Sequence, residues 1–254
     1  MKYDFFIDSM TWSYSRLTAF EQCPYGWMLL YIYESKKEPR FFAEYGSFAH
    51  DLLARHFMGE LPAEELLSEY ISGFRKNVKA EAPTPKIRKK RYEEGKTYFR
   101  NPPLPGRTIL AVEQKLEFKY AGQKFTGFLD LLSRDEDGKL CLTDHKSSDI
   151  KPRSGRKKPT KSDLDLDERL RQLYIYSAPV KELYGQFPDY LEFNCFRTGQ
   201  LIREPFDVKK YEETERWATE LIDMIRGTSE WAPHEDYWYC QHLCDVTKEC
   251  EYRD

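Results

Sequence analysis

The chain has 254 residues, 40% apolar and 33% charged, enough to build a core without staples and with no apolar run near the roughly 18 residues a membrane span requires. Lys and Arg number 40 against 43 Asp and Glu, a net charge of −3 that excludes a uniformly basic nucleic-acid coat and leaves partner choice to local sites. The opening MKYDFFIDSM lacks an apolar leader, so the expected compartment is a reducing cytoplasm, with no membrane partner and six cysteines that read as thiols or ligands.

Ser13 and Ser15 precede Leu17, Phe20, Trp27, Leu30 and Tyr31 at roughly helical intervals, and Pro24 divides this run into two helices joined near Cys23. Residues 44–57 predict a helix with His50, Leu53 and Phe57 on one face, and residues 62–80 another, opened by Pro62. Basic residues gather from Tyr70 to Arg100, after which Pro102, Pro103 and Pro105 form the best internal boundary. Beyond it the period falls to two, and strands are expected at 108–120, 124–134 and 139–146, an antiparallel meander turning at Ala121-Gly122 and Asp137-Gly138. Residues 147–167 lack periodicity; Lys151, Arg153, Arg156, Lys157, Lys158 and Lys161 come with no acid among them, then Asp163, Asp165 and Asp167, predicting a mobile loop. A helix from about Glu168, strands at 190–197 and 200–206, an amphipathic helix over 208–226 and a cysteine-rich tail from Trp231 follow, with no internal repeat. The chain thus divides into a helical region, 1–105, carrying Cys23 and His50; a core, 106–230; and a tail, 231–254, expected to form one integrated domain. The fold class is α/β, a mixed central sheet flanked by helices.

Asp130 in GFLDLL and Asp144 in LCLTDHK sit inside apolar strands, where a carboxylate is costly unless a cation receives it. A three-residue turn at Glu136-Asp137-Gly138 would set Asp130 opposite Asp144, and strand alternation adds Lys146 to that face. Hard oxygen ligands beside an ammonium suit Mg²⁺ or Mn²⁺ acting on phosphate esters, with Lys146 orienting the nucleophile or steadying developing charge. The bland alternative is a surface ion pair of Asp144 and Lys146. Gln172 and Tyr176 in RQLYIY are one helical turn apart on one face. The run from Lys151 to Lys161 must emerge near the D-x-K strand and reads as a phosphate-binding strip; Lys86 to Arg91 with Lys96 and Arg100 reads equally as phosphate-binding or as a solvated face. Trp12, Tyr14, Trp27, Trp238 and Tyr239 either stack on unpaired bases or pack the two ends of the chain together.

GFLD, then Asp144-His145-Lys146, then the Gln172 and Tyr176 pair, in that order, resemble the PD-(D/E)XK nuclease superfamily, and within it the RecB-like branch. The resemblance implies a restriction-endonuclease-like fold with Asp130 and Asp144 as metal ligands, joined by His50 of GSFAHDLLA and the carbonyl of His145. It implies further that Lys146 is catalytic and that Gln172 and Tyr176 lie beside the scissile strand. Glu113 in LAVEQKLEF resembles a supporting acid of some members and reads equally as a solvated strand residue. The implied activity is hydrolysis of DNA phosphodiesters, as an exonuclease on single-stranded or frayed ends. Its setting would be recombination, repair, phage DNA metabolism or CRISPR spacer acquisition, with protein partners in such a complex. A catalytically idle DNA-binding scaffold is the alternative.

Cys240, Cys244 and Cys250 fall within eleven residues, which in a reducing compartment points to a metal or cluster rather than disulfides. Resemblance to iron–sulfur nucleases of the Cas4 and AddB type supplies Cys23 as the fourth ligand and a [4Fe–4S] cluster as the cofactor. The spacing C-x3-C-x5-C departs from their C-x2-C-x5-C by one residue in its first segment. Four thiolates suit Zn²⁺ as readily, and His234 or His242 could replace one, so a zinc–thiolate module is a further alternative. Cys141 and Cys195, among apolar strand neighbours, read as core thiols.

Overall fold

The computed structural model describes residues 3–101, 103–234 and 236–253; Pro102 of the proline-rich boundary lies outside the described residues. A five-residue helix α1 (Asp4–Asp8) leads into α2 (Tyr14–Gln22), which Ser13 caps by accepting the Arg16 N–H. Cys23 ends α2 with its backbone and opens α3 (Pro24–Tyr31) with its sulfur, Sγ accepting the Gly26 N–H at 3.2 Å. Helix α4 (Phe41–Phe57) starts slightly earlier than its pattern suggested. Pro62 opens a 3₁₀ turn (Ala63–Glu65) rather than a long helix, and α5 (Leu66–Asn77) follows.

The basic stretch after α5 holds a helix, α6 (Pro85–Tyr98), that the charge pattern concealed. Its start is nevertheless written in the sequence, with Thr84 accepting the Ile87 N–H and Pro85 in the first turn. Two of its six cations are held internally: Arg88 donates to the carbonyls of Val78 and Ala80, and Arg91 pairs with Glu94 at 2.6 Å. Lys90 and Lys96 also meet acids of this helix, Glu94 at 3.9 Å and Glu93 at 3.1 Å, which leaves Lys86, Lys89 and Arg100 exposed and in no ion pair among the described residues.

Strands β1 (Thr108–Tyr120), β2 (Gln123–Arg134) and β3 (Leu140–Lys146) form the expected antiparallel meander. Helix α7 (Lys161–Tyr184) crosses over to β4 (Tyr190–Cys195), which runs parallel to β3, and β5 (Gln200–Pro205) returns antiparallel to β4. Among the described residues this gives one mixed sheet of five strands in sequence order. Helices α8 (Val208–Gly227) and α9 (Tyr237–His242) close the chain. One apolar layer joins Leu142, Leu191 and Phe193 to Leu170, Leu173 and Ile222 of α7 and α8; a second gathers Tyr45, Leu52, Tyr70 and Phe74 of α4 and α5 around Phe196. No helix among the described residues is long and apolar enough to cross a membrane.

The segment expected to be a mobile loop is pinned instead. Asp163, only 2% exposed, accepts from Ser154 through both N–H and hydroxyl and forms a capping box with Thr160, so α7 begins at Lys161, well before Glu168. Arg153 is drawn away from solvent by Glu204 and Asp167, each at 2.7 Å.

Candidate active site

The centre of the site is a place where the sheet fails to pair. Gly138 is left-handed at φ +74° and the register sets Leu131 against Thr143, so Asp130 would face Asp144 one step on, but the ladder stops there. Asp130 Oδ2 instead accepts the His145 N–H at 2.7 Å. On its other side β2 pairs Leu131 with Val112 and Leu129 with Gln114, skipping Glu113, whose φ is +46°. A non-glycine residue held there costs on the order of 1–3 kcal/mol, strain that collects at functional positions. Leu129 and Leu132, three apart, both enter the same core, so simple alternation slips at Asp130. One break in the ladder thereby releases two carboxylates from the sheet.

Helix α4 brings His50 to this gap. Its Nδ1 lies 3.5 Å from Asp130 Oδ2 and 3.9 Å from Glu113 Oε1, and its Nε2 is 2.8 Å from the carbonyl oxygen of His145. Burial pushes the Asp130 carboxyl up, as does the charge of Asp144, to about 7. For His50 burial pulls down, but the nearby Glu113 and the charges of Asp130 and Asp144 win, lifting it to about 9. The His145 ring, fully enclosed, stacks on Phe57 and meets Asn194; burial holds its pKa well below the usual value.

These groups fit a divalent cation. His50, Glu113 and Asp130 offer ligand atoms within 4.8 Å of one another; Glu113 Oε1 is buried without a hydrogen bond, and Asp144 Oδ2 is buried with the Lys146 ammonium as its partner. Sequence reasoning left Glu113 open between a supporting acid and a solvated residue; the structure places its carboxylate inward, beside His50.

Around Asp144 the side chains form a closed triangle. Gln172 Nε2 donates to Asp144 Oδ1 at 2.6 Å, Gln172 Oε1 accepts from Lys146 Nζ at 2.8 Å, and Lys146 Nζ lies 2.7 Å from Asp144 Oδ2. Tyr176, one turn along α7, lies flat against the strand, and only a glycine fits beneath it: a Cβ at Gly127 would stand 2.6 Å from the Tyr176 hydroxyl. Burial, with the nearby Asp144, raises the Tyr176 phenol well above its usual range. Arg169 precedes Gln172 by one turn on this face and donates to Ser148 at 3.4 Å, a cation the sequence reading overlooked although its i, i+3 spacing was visible.

The cluster opens into a cleft of about 1020 Å³ between α2, α4, β2 and α7. Phe42, Gly46 and His50, at i, i+4 and i+8, line one wall, and Phe128 lies on the floor. Of the anticipated strip, Lys151 pairs with Asp149 at 2.9 Å and Arg153 is consumed by its two acids, whereas Arg156, Lys157, Lys158 and Lys161 are exposed and make no ion pair among the described residues. Trp12 and Trp27 are fully buried: Trp12 bridges to Phe125 of β2, and Trp27 stacks on Trp231 at 5.4 Å and so packs the chain ends together; Trp238 is partly exposed.

At the far end of α2 the tail returns to Cys23. Cys23 Sγ accepts a second N–H, from His234 at 3.3 Å, and Cys244 is buried against Met28, Leu29 and Val246. Burial raises the Cys240 thiol, and Cys244, Cys23 and Cys250 raise it further; Cys250 is raised by burial and by Cys244 and Cys23. Four thiols from the two ends of the chain thus gather in one region, and Cys23 Sγ receives two N–H groups. Cys141 and Cys195 are buried in strands.

The sequence profile of the PD-(D/E)XK nuclease superfamily matches residues 11–253. The structure of a candidate exonuclease from Eubacterium rectale superimposes with a TM-score of 0.54 at 15% identity, covering 94% of this chain and 87% of that one; it shares the fold. The structure of SSO0001 matches at 17% identity over 97% of this chain and 88% of that one, with a TM-score of 0.36, too low to carry an argument. No curated protein sequence matches.

Proposed function

The chain belongs to the PD-(D/E)XK nuclease superfamily, and we propose that it is a Mg²⁺- or Mn²⁺-dependent deoxyribonuclease acting from the Asp130, Asp144 and Lys146 cluster. The observation that carries this reading is the convergence of the His50, Glu113 and Asp130 ligand atoms within 4.8 Å of one another, with Glu113 Oε1 buried and without a hydrogen bond, beside the His145 carbonyl. His50, Asp130, Asp144 and that carbonyl would hold the ion, with Glu113 in support. Bound there, it would neutralise a phosphoryl oxygen and lower the pKa of a water.

The protein's own groups orient the reaction. Gln172 holds the Lys146 ammonium by its carbonyl and Asp144 by its amide, so Nζ points at one place, where it donates to the attacking water or to the oxygen gaining charge. Tyr176, kept a neutral phenol by burial, is a donor for a non-bridging phosphate oxygen. Arg156, Lys157, Lys158 and Lys161 engage phosphates farther along the strand. We assign the substrate as DNA with single-stranded or frayed ends, degraded exonucleolytically in the cytoplasm in recombination, repair, phage DNA metabolism or spacer acquisition, alongside protein partners. Family resemblance supports that assignment. Cys23, Cys240, Cys244 and Cys250 hold a [4Fe–4S] cluster that fastens the helical region and tail to the core as one unit, with Zn²⁺ as the competing occupant.

The test is cleavage of end-labelled single- and double-stranded DNA with and without Mn²⁺. Wild-type protein should cut only with metal, and Asp130→Asn, Asp144→Asn and Lys146→Ala should lose at least about 100-fold in rate, the scale of a lost charge stabiliser. Cleavage by Asp144→Asn at the wild-type rate would overturn the assignment.

A further inference from the structure

Phe128 is a large apolar side chain on a central strand, 54% exposed between buried or half-buried neighbours, with its ring in the catalytic cleft two residues from Asp130. A single exposed phenylalanine needs no explanation by itself. Its surroundings supply one. Among the described residues lining the cleft, Lys146 is the only lysine or arginine, and Asp144 and Gln172 already engage it. Lys115, cross-strand partner of Phe128, is paired with Glu117. Besides the catalytic groups the wall offers serine and threonine hydroxyls and two further rings, Tyr14 packed on Trp217 and Phe42 packed on Phe41 and Trp238, whereas Phe128 has no aromatic neighbour among the described residues.

Beyond a metal ion at the proposed site and the His50 ring, the described residues of the cleft lining give a strand no uncommitted cation, and a hold that does not depend on charge would come from another source. Stacking of a base on an aromatic face is such a source, and it tolerates any sequence. The face of a base is available only where the strand is unpaired or at its end, because inside a duplex both faces are covered by neighbouring pairs. We propose that Phe128 is the platform for an unpaired nucleobase next to the scissile phosphate, and so selects single-stranded and frayed ends over internal duplex. This rests on the nuclease reading above and names the feature that sets its substrate class.

The test measures binding without turnover, in the Asp144→Asn background, by fluorescence anisotropy of a labelled oligothymidylate. A series of oligomers with one abasic residue moved along the end, and a duplex closed by hairpins at both ends, complete the set. Adding Phe128→Ala should weaken oligothymidylate binding roughly ten- to a hundred-fold, Phe128→Tyr should restore it, and the closed duplex should be unaffected. One abasic position should cost a similar factor when Phe128 is present and almost nothing in the Phe128→Ala protein. Equal binding by Phe128→Ala and its parent, or an abasic penalty that persists in Phe128→Ala, overturns the proposal. If wild-type protein with Mn²⁺ cuts no DNA while this coupling is seen, the nuclease reading falls and the base platform stands; robust cleavage without coupling gives the reverse.

Discussion

Asp130 and His50 each hold a proton more tightly than the same groups in water, and both must give it up before a cation can use their lone pairs. Asp130 titrates near 7 and His50 near 9, so Mn²⁺ affinity should climb between pH 6 and 9, with net proton release readable by calorimetry in two buffers of different ionisation enthalpy. Affinity independent of pH over that range would show that neither group is a ligand. The sign for the metal-free fold is opposite. A carboxyl raised from 3.8 to about 7 contributes stability that is full below 3.8 and gone above 7, so wild-type protein should lose stability relative to Asp130→Asn as pH rises through that window. In the proposed mechanism Gln172 acts by orientation alone. Gln172→Leu should lower kcat while Mn²⁺ affinity stays within about twofold, whereas Glu113→Gln should weaken the metal first. Asp130, Asp144, Lys146, Gln172 and Tyr176 were legible because each is a polar residue at a definite place in an apolar element. Glu113 was not, because its inward turn depends on a left-handed backbone that no spacing announces. Phe128 was hidden for another reason: in GFLD it looks like one more apolar strand residue.

Helix α7 and strand β2 approach closely enough that Gly127 is a spacer. Gly127→Ala would drive Tyr176, and with it Gln172, off the strand; it should cost about 1–3 kcal/mol in urea unfolding, the usual range for overpacking, and most of the activity. Tyr176→Phe in the same chain should not rescue it, because the ring carbons are as close as the hydroxyl; Tyr176→Ala should recover stability. The start of α7 offers a second check. Thr160→Ala removes a cap worth about 1 kcal/mol and should expose the segment before Lys161 to trypsin. Replacing Lys157, Lys158 and Lys161 with Gln should reduce the slope of log affinity against log salt by roughly one for each phosphate no longer neutralised, and an unchanged slope would place all three in solvent. The meander was readable element by element, since period two and the turn at Gly138 fix both strands and register. The loop was misjudged because Asp163 looks like one of three surface acids until Ser154 folds back onto it across nine residues of chain.

Across the whole molecule, Cys23 and the tail tie the first helices to the last. If the four thiols share one cluster, protein purified without oxygen should be brown with iron and sulfide present. Cys23→Ala should then bleach it and lower its melting temperature, while Cys141→Ala keeps the colour. Zinc in place of iron would keep the fastening and discard the cluster; full iron and stability in Cys23→Ala would discard the four-thiol set. The tail also bears on the shape of the cleft. Helix α2, whose cap Ser13 and first residue Tyr14 line that cleft, rests through Phe20 on Trp231, and Cys23 at its end receives the His234 N–H. The proposed metal ligands lie elsewhere, on α4 and the sheet. A tail pulled loose would therefore disturb the wall that faces the strand and leave the place of the ion standing.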